Sequence, residues 1–172
     1  MEIKNVLDKI PGPLVPEALS KHIVQQSCCK LEPVEILLFQ KSFEALAEYT
    51  QSQTLSKEAL VEVVYTDSDE VVLQRSGLEL GQSMPLAVIW LGKIRTQQYP
   101  PLTLMQIFLE EICHALYQVQ NEYSVKVLVY KILYPHLGGR SLHSLYPLVF
   151  DENNFPIPSA YPDRYDDYIA SL

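Results

Sequence analysis

Five consecutive residues in the second half of the chain, Glu110-Glu111-Ile112-Cys113-His114, combine two carboxylates with an imidazole. On a helix, Glu110 and His114 are four residues apart and Glu111 and His114 are three apart, so the three side chains share a face. The flanking residues are mostly apolar, which predicts a largely buried helix. An unpaired charge is costly in such surroundings, so the cluster needs a partner. A metal ion would satisfy all three side chains.

This pattern resembles the active-site helix of small zincin metallopeptidases, which carry H-E-x-x-H with two zinc-binding His and a Glu as general base. Glu111 and His114 stand where that Glu and the second His would be, and Glu110 stands in place of the first His. Glu122 then opens a second apolar segment. In the minigluzincin branch a Glu on the following helix is the third ligand, and the related ImmA/IrrE-like proteins share this layout. These families usually continue with a small residue and an acid, where this chain has Val125-Lys126.

The resemblance implies that Glu110, His114 and Glu122 are metal ligands and that Glu111 is the general base. A catalytic zinc keeps one position for water, lowers the pKa of that water, and leaves a nearby carboxylate to take its proton. The implied cofactor is zinc. A ligand set with two carboxylates is harder than His₂Glu, which makes manganese or iron alternatives. Convergence requires a helix break near Gln120, because an unbroken helix would separate His114 from Glu122 by about 12 Å along its axis.

A simpler interpretation stays open. Acidic side chains on an apolar helix are more often solvated or paired than catalytic, and Glu110 and Glu111 could pair with Lys126, Lys131 or Arg140.

Other reactive side chains have weaker functional interpretations. His136 and His143 follow the second apolar segment and are spare ligand candidates. We interpret His22 as a surface or core histidine and Cys113 as a small buried hydrophobe.

Composition narrows the class of protein. A chain of 172 residues suits one domain, and its hydrophobic fraction of 48% supplies a core. The net charge of −8 argues against a nucleic-acid partner held by phosphate contacts. No apolar run reaches the ~18 residues of a membrane-spanning helix, and the N-terminus lacks a signal-peptide pattern. We therefore expect a cytoplasmic protein, without a membrane partner, whose three cysteines are reduced.

Periodicity predicts the elements that position the cluster. Helices are expected at 17–28 and 33–51, and strands at 60–65, 70–74 and 86–91. The first two strands read as a hairpin, and the third as a central strand because it is almost wholly apolar. Thr103 and Gln106 form a capping-box signature for a main helix at 103–119, and its partner helix is expected at 122–133.

The last part of the chain differs in texture. Residues 137–172 are rich in Pro and Tyr, and the last 22 residues carry five acidic residues against one arginine. Such a segment is either a strap packed on the domain by its aromatics, which we favour, or a partly disordered tail.

Together these observations predict an α+β, zincin-like domain in residues 1–136, with N-terminal helices in 1–52 and a small three-stranded sheet with two site helices in 53–136. The first functional hypothesis is a metallopeptidase that hydrolyses a protein or peptide substrate with a metal-activated water. The alternative is a catalytically degenerate relative that acts as a protein-binding or regulatory module. A third is an unrelated α+β protein with ion-paired carboxylates. The sequence leaves the oligomeric state open.

Overall fold

Three parallel strands form one sheet within residues 12–51, 60–68 and 85–172, which the computed structural model describes. Strands β1 (Ile23–Ser27), β2 (Val61–Thr66) and β3 (Leu86–Trp90) lie in that order, with β2 in the centre. Ile23 pairs with Val61 and Val63 pairs with Ala87, which fixes the register. All six residues of β2 are buried, as expected for a central parallel strand.

Helix α1 (Pro33–Gln51) lies between β1 and β2 along the chain. The helices described after β3 are α2 (Leu91–Gln97), α3 (Pro101–Tyr117), α4 (Glu122–Leu133), α5 (Leu142–Leu145) and α6 (Pro162–Ile169). None of the helices in the described part of the chain is long and apolar enough to cross a membrane.

Stacked aromatic rings hold α1 and α3 against the sheet. The ring of Phe108 on α3 lies 4.4 Å from that of Phe39 on α1 and 6.3 Å from that of Tyr65 on β2, measured between centroids. All three rings are nearly parallel and completely buried. Burying a side chain of this size contributes about 1.5–3 kcal/mol, so the stack fixes both helices on the face of β2 to which Tyr65 points.

A second aromatic cluster attaches the C-terminal segment to α4. Tyr123 is completely buried, and its hydroxyl donates to the carbonyl of Ile157 at 2.7 Å and accepts from the N–H of Tyr161 at 3.2 Å. Its ring has centroid distances of 5.2–6.2 Å to four other rings: Phe150, Tyr161, Tyr165 and Tyr168. Residues 150–168 are therefore packed on the start of α4 by aromatic side chains.

The prediction of a helix at residues 17–28 is wrong. A single 3-10 turn at Glu17–Leu19 is followed, after the three turn residues 20–22, by β1. The apolar spacing of this segment suggested a helix, but Ile23 and Val24 are β-branched, and the whole strand pairs with β2. That pairing partner is supplied by residues almost forty positions away.

The predicted hairpin is also wrong, because β2 has parallel neighbours on both edges and no free edge for an antiparallel partner. Residues 70–74 themselves lie outside the described residues. Within the described part of the sheet, the apolar strand predicted at 86–91 is at an edge and not in the centre, and its residues Leu86 and Trp90 are exposed.

The helices around the site are close to the expected ones. The helices predicted at 33–51 and 122–133 are confirmed with the same bounds. The main helix predicted at 103–119 corresponds to α3, which starts at Pro101 with Pro100 as its N-cap. The prediction that Thr103 and Gln106 form a capping box is therefore wrong. Gln106 instead donates to the carbonyl of Leu145 at 3.0 Å.

Helix α2 was not predicted from the sequence, and it begins directly after β3 with Gly92 in its first turn. A Cβ at Gly92 would lie 2.3 Å from the carbonyl oxygen of Asp67. The glycine is therefore required by close packing, and it does not end the regular structure. At the coarser level, an α+β class with a small three-stranded sheet is confirmed within the described residues.

We predict that Tyr123→Phe lowers the free energy of unfolding by about 1–2 kcal/mol, because the Ile157 carbonyl and the Tyr161 N–H lose their partner while the ring contacts remain. Urea denaturation measures this loss, and amide exchange in residues 157–168 should become faster. Tyr134, which is 54% exposed, provides the matched control, since Tyr134→Phe should leave both quantities nearly unchanged. Equal effects of the two variants would contradict the assigned role of the Tyr123 hydroxyl.

Candidate functional site

The break between α3 and α4 brings the predicted site residues together. Gln118 ends α3 in the left-handed conformation, with φ 53° and ψ 32°. Asn121 caps α4, and its side-chain oxygen accepts from the N–H groups of Tyr123 and Ser124 at 3.0 and 3.3 Å. The chain thereby reverses, and the first turns of α4 lie beside the C-terminal half of α3.

Lys126 on α4 lies at the centre of the cluster. Its Nζ donates to Oε2 of Glu110 at 2.8 Å and to Oε2 of Glu122 at 3.2 Å. The rings of Tyr146 and Tyr161 lie 5.6 and 5.3 Å from the same nitrogen, within the range of cation–π contacts. The ammonium is thus surrounded by two carboxylates and two aromatic rings.

The charge on Lys126 is maintained by its neighbours. Its side chain is only 8% exposed, and this burial by itself lowers the pKa of the amine. The attraction and hydrogen bond of the Glu110 carboxylate outweigh the burial, so the pKa of Lys126 is raised overall. The side chain therefore stays an ammonium throughout the neutral pH range.

His114 lies at the edge of the cluster. Its Nδ1 is hydrogen-bonded to the carbonyl of Val119, and because a carbonyl only accepts, this nitrogen carries a proton. Its Nε2 faces Oε1 of Glu122 at 3.5 Å. Metal-ligating histidines have the same arrangement, with one ring nitrogen held by a carbonyl and the other facing the metal.

Glu111, the predicted base, is more exposed than the other members of the cluster. Partial burial raises the pKa of its carboxyl, and the negative charges of Glu110 and Glu122 act in the same direction. His114 and Lys126 oppose this rise without cancelling it. The ionised form of Glu111 is therefore less favourable in the folded protein than in the unfolded chain.

The geometry does not suit a metal ion while Lys126 is in place. No group of three or more His, Cys, Asp or Glu side chains that could hold a metal occurs in the described parts of the chain. The point between Glu110 and Glu122 that a shared cation would occupy is taken by the ammonium. The roles of Glu110, His114 and Glu122 as ligands, and of Glu111 as base, stay predictions.

The other reactive side chains named from the sequence have contacts outside this cluster. His136 faces Glu48 at 3.3 Å, and Nδ1 of His143 is 2.7 Å from the carbonyl of Phe150. Cys113 is completely buried, and this burial raises the pKa of its thiol, in keeping with its interpretation as a small hydrophobe. Cys28, Cys29 and Cys113 are all free thiols.

Sequence reasoning missed the central position of Lys126. The sequence analysis considered an ion pair between Glu110 and Lys126 as one alternative. It did not predict that Glu122 would share the same ammonium. The available signal was the basic residue at the position where the zincin-like families usually have an acid. Tyr146 and Tyr161 had no local signal, because they approach Lys126 only after the C-terminal segment has packed on α4.

Comparison of the chain with protein-family models, with curated proteins and with solved structures finds no match. The resemblance to zincins therefore depends on the residues and the layout described above.

We predict that Lys126→Met lowers the free energy of unfolding by about 2–4 kcal/mol, because Glu110 and Glu122 lose their shared cation. The loss is at the lower end for a buried pair because the Glu122 side chain is 35% exposed. Guanidinium denaturation followed by circular dichroism measures it. Lys131→Met, at an exposed position of the same helix, is the control, and a similar loss in both variants would contradict the assigned bridge.

We predict that Glu111→Gln is more stable than the parent at neutral pH. Because the folded-state pKa of Glu111 is raised, the folded protein binds more protons than the unfolded chain. Its contribution to stability therefore falls as pH rises through the ordinary carboxyl range towards the raised pKa. Melting temperatures of the two proteins, measured from the ordinary carboxyl range up to neutral pH, should diverge with increasing pH. Parallel curves would contradict the raised pKa.

Proposed function

We propose that this chain is a catalytically degenerate, zincin-like protein that acts as a protein-binding or regulatory module. The observation that carries the proposal is the position of the Lys126 ammonium between Glu110 and Glu122. A zincin needs a metal ion with an open position for water. An ammonium balances the carboxylates, but it has no coordination position at which water could be activated.

The C-terminal segment gives further support, because it covers the same region. Tyr146 and Tyr161 bring their rings to Lys126, and Asn121 donates through Nδ2 to the carbonyl of Arg164 at 2.9 Å. The hydroxyl of Tyr123 holds Ile157 nearby. A peptide substrate would have to displace these contacts before it could reach the Lys126 ammonium, whose side chain is only 8% exposed.

A binding role is supported by two apolar side chains on a hydrogen-bonded turn, residues 148–155. Leu148 is 83% exposed and Phe155 is 67% exposed. Oδ1 of Asp151 accepts from the N–H groups of Asn153 and Phe155 at 2.9 and 2.8 Å, and the N–H of Asp151 donates to the carbonyl of Phe155 at 2.8 Å. An aromatic side chain on a fixed turn loses little conformational entropy on binding and is a common interface anchor.

The charge of the protein indicates the kind of partner that this turn would fit. The whole chain carries −8, and Asp151 and Glu152 lie on the turn itself, close in sequence to Phe155. A protein partner with an apolar pocket bordered by Lys or Arg would complement it.

The proposal predicts that the purified protein holds no stoichiometric zinc, manganese or iron and hydrolyses neither casein nor a mixed peptide library. Elemental analysis should be made on protein purified without chelator or nickel resin, and the assay run with and without added ZnCl₂ and MnCl₂. His114→Ala is the matched variant and should not change the metal content. About one equivalent of metal that is lost in His114→Ala, with hydrolysis lost in Glu111→Gln, would overturn the proposal in favour of a metallopeptidase.

A second experiment tests the binding role with the variant Phe155→Ser. Leu14→Ser is the control, because Leu14 is a 72% exposed apolar residue outside the turn. A partner captured by the parent is identified, purified and titrated against all three proteins. Phe155→Ser should weaken binding at least tenfold (about 1.4 kcal/mol), and Leu14→Ser should not. Equal affinities would exclude the 148–155 turn as the binding surface.

A further inference from the structure

Helix α1 carries an apolar stripe on its outer side, formed by Val34 and Leu37. The two residues are three apart, so their side chains lie on one face of the helix, and each is 53% exposed. Lys41 lies about one turn farther along the same face, and Lys30 precedes the helix; both are exposed. The α1 stripe is therefore an aliphatic surface with a lysine towards each end.

The charges around the α1 stripe differ from those of the chain as a whole. Glu35 is only 4% exposed, and its two carboxylate oxygens accept from the Arg95 guanidinium at 2.8 Å. Two exposed lysines then balance two exposed glutamates within residues 30–44: Lys30, Lys41, Glu32 and Glu44. This region is neutral in a chain whose net charge is −8. An acidic surface therefore meets less repulsion here than the average over the chain.

The turn at residues 148–155 has complementary properties. Its exposed apolar side chains are Leu148 and Phe155, and its negative charges are those of Asp151 and the exposed Glu152. An aromatic ring can cover two neighbouring aliphatic side chains while an adjacent carboxylate faces a lysine. A partner for this turn needs an apolar surface bordered by lysine, and the α1 stripe of another copy of the chain provides both features.

We propose that the partner of the 148–155 turn is a second copy of this chain, which presents its α1 stripe. The inference rests on the binding role proposed above and adds the identity of the partner. Because the two surfaces differ, the contact is heterologous, and association continues until a ring closes or proceeds as an open chain. Only a few side chains take part, so the contact is weak and depends on protein concentration.

Sedimentation velocity of the full chain, measured over a wide range of protein concentration, tests the inference. The parent should change from monomer to larger species as its concentration rises. Leu37→Ser and Phe155→Ser each remove the apolar contact of one surface, so each should weaken self-association at least about tenfold. Leu14→Ser is the control, because Leu14 is exposed but lies outside both surfaces, and it should associate like the parent.

A mixture of the two defective variants tests whether the two surfaces contact each other. Leu37→Ser retains its turn and Phe155→Ser retains its stripe, so an equimolar mixture should form a one-to-one complex although neither variant associates alone. The complex should not grow, because the surfaces that remain free in it are both defective. Leu37→Ser mixed with Val34→Ser should stay monomeric, since both variants lack the same surface.

The contribution of charge is tested by reversing one carboxylate. Glu152→Lys should weaken self-association, and added NaCl should weaken the association of the parent. Asp167→Lys makes the same change in net charge at an exposed position of α6, so it is the matched control and should not weaken association. Equal weakening by Glu152→Lys and Asp167→Lys would contradict the assigned contact.

The inference would be overturned by a parent that stays monomeric at every concentration, by association that Leu37→Ser and Phe155→Ser leave unchanged, or by a mixture of these variants that does not associate. The proposed function fails by a different result, namely bound metal together with hydrolysis. A monomeric parent that binds another protein through Phe155 would exclude the second copy as the partner and leave the proposed function in place.

Discussion

The arrangement of the second half of the molecule depends on one buried positive charge. The ammonium of Lys126 is hydrogen-bonded to a carboxylate from α3 and to one from α4, and two rings of the C-terminal segment lie against it. Neither carboxylate could face the other in this partly buried position without a cation, because their repulsion would separate the helices. The same ammonium also attracts the aromatic faces that cover it. One side chain therefore joins α3, α4 and the C-terminal segment.

Two aromatic clusters hold the helices in position for this contact. Phe108 stacks on Phe39 and lies near Tyr65 of the sheet, which fixes α3. Tyr123 is enclosed by rings from residues 150–168, which fixes the start of α4. The polar cluster lies between them. Its two carboxylates consequently meet at a point set by apolar packing, and the cation that occupies this point is supplied by the chain.

The convergence of Glu110, His114 and Glu122 was accessible from sequence because it depends on local signals. The helical spacing placed Glu110 and His114 on one face, and the separate helices expected at 103–119 and 122–133 allowed the break that turns α4 back. The strand order was not accessible in the same way. The apolar spacing of the β1 segment suggested a helix, and its parallel partner is distant along the chain, so only the assembled sheet shows that it is a strand. The apolar character of β3 suggested a central strand, although its position in the sheet is at the described edge.

The sequence by itself determined that this is an acidic chain with an apolar core, that a carboxylate–imidazole cluster lies on a largely apolar helix, and that a second amphipathic segment follows this helix. These properties depend on composition and on spacings of a few residues, for which the geometry of a single helix is sufficient. Only the tertiary structure decided which cation balances the cluster. Lys126 is sixteen residues from Glu110, and the rings that cover it come from still farther along the chain. Their meeting depends on how α3, α4 and the C-terminal segment pack, and the energy of that packing is distributed over many apolar contacts with no short sequence signature.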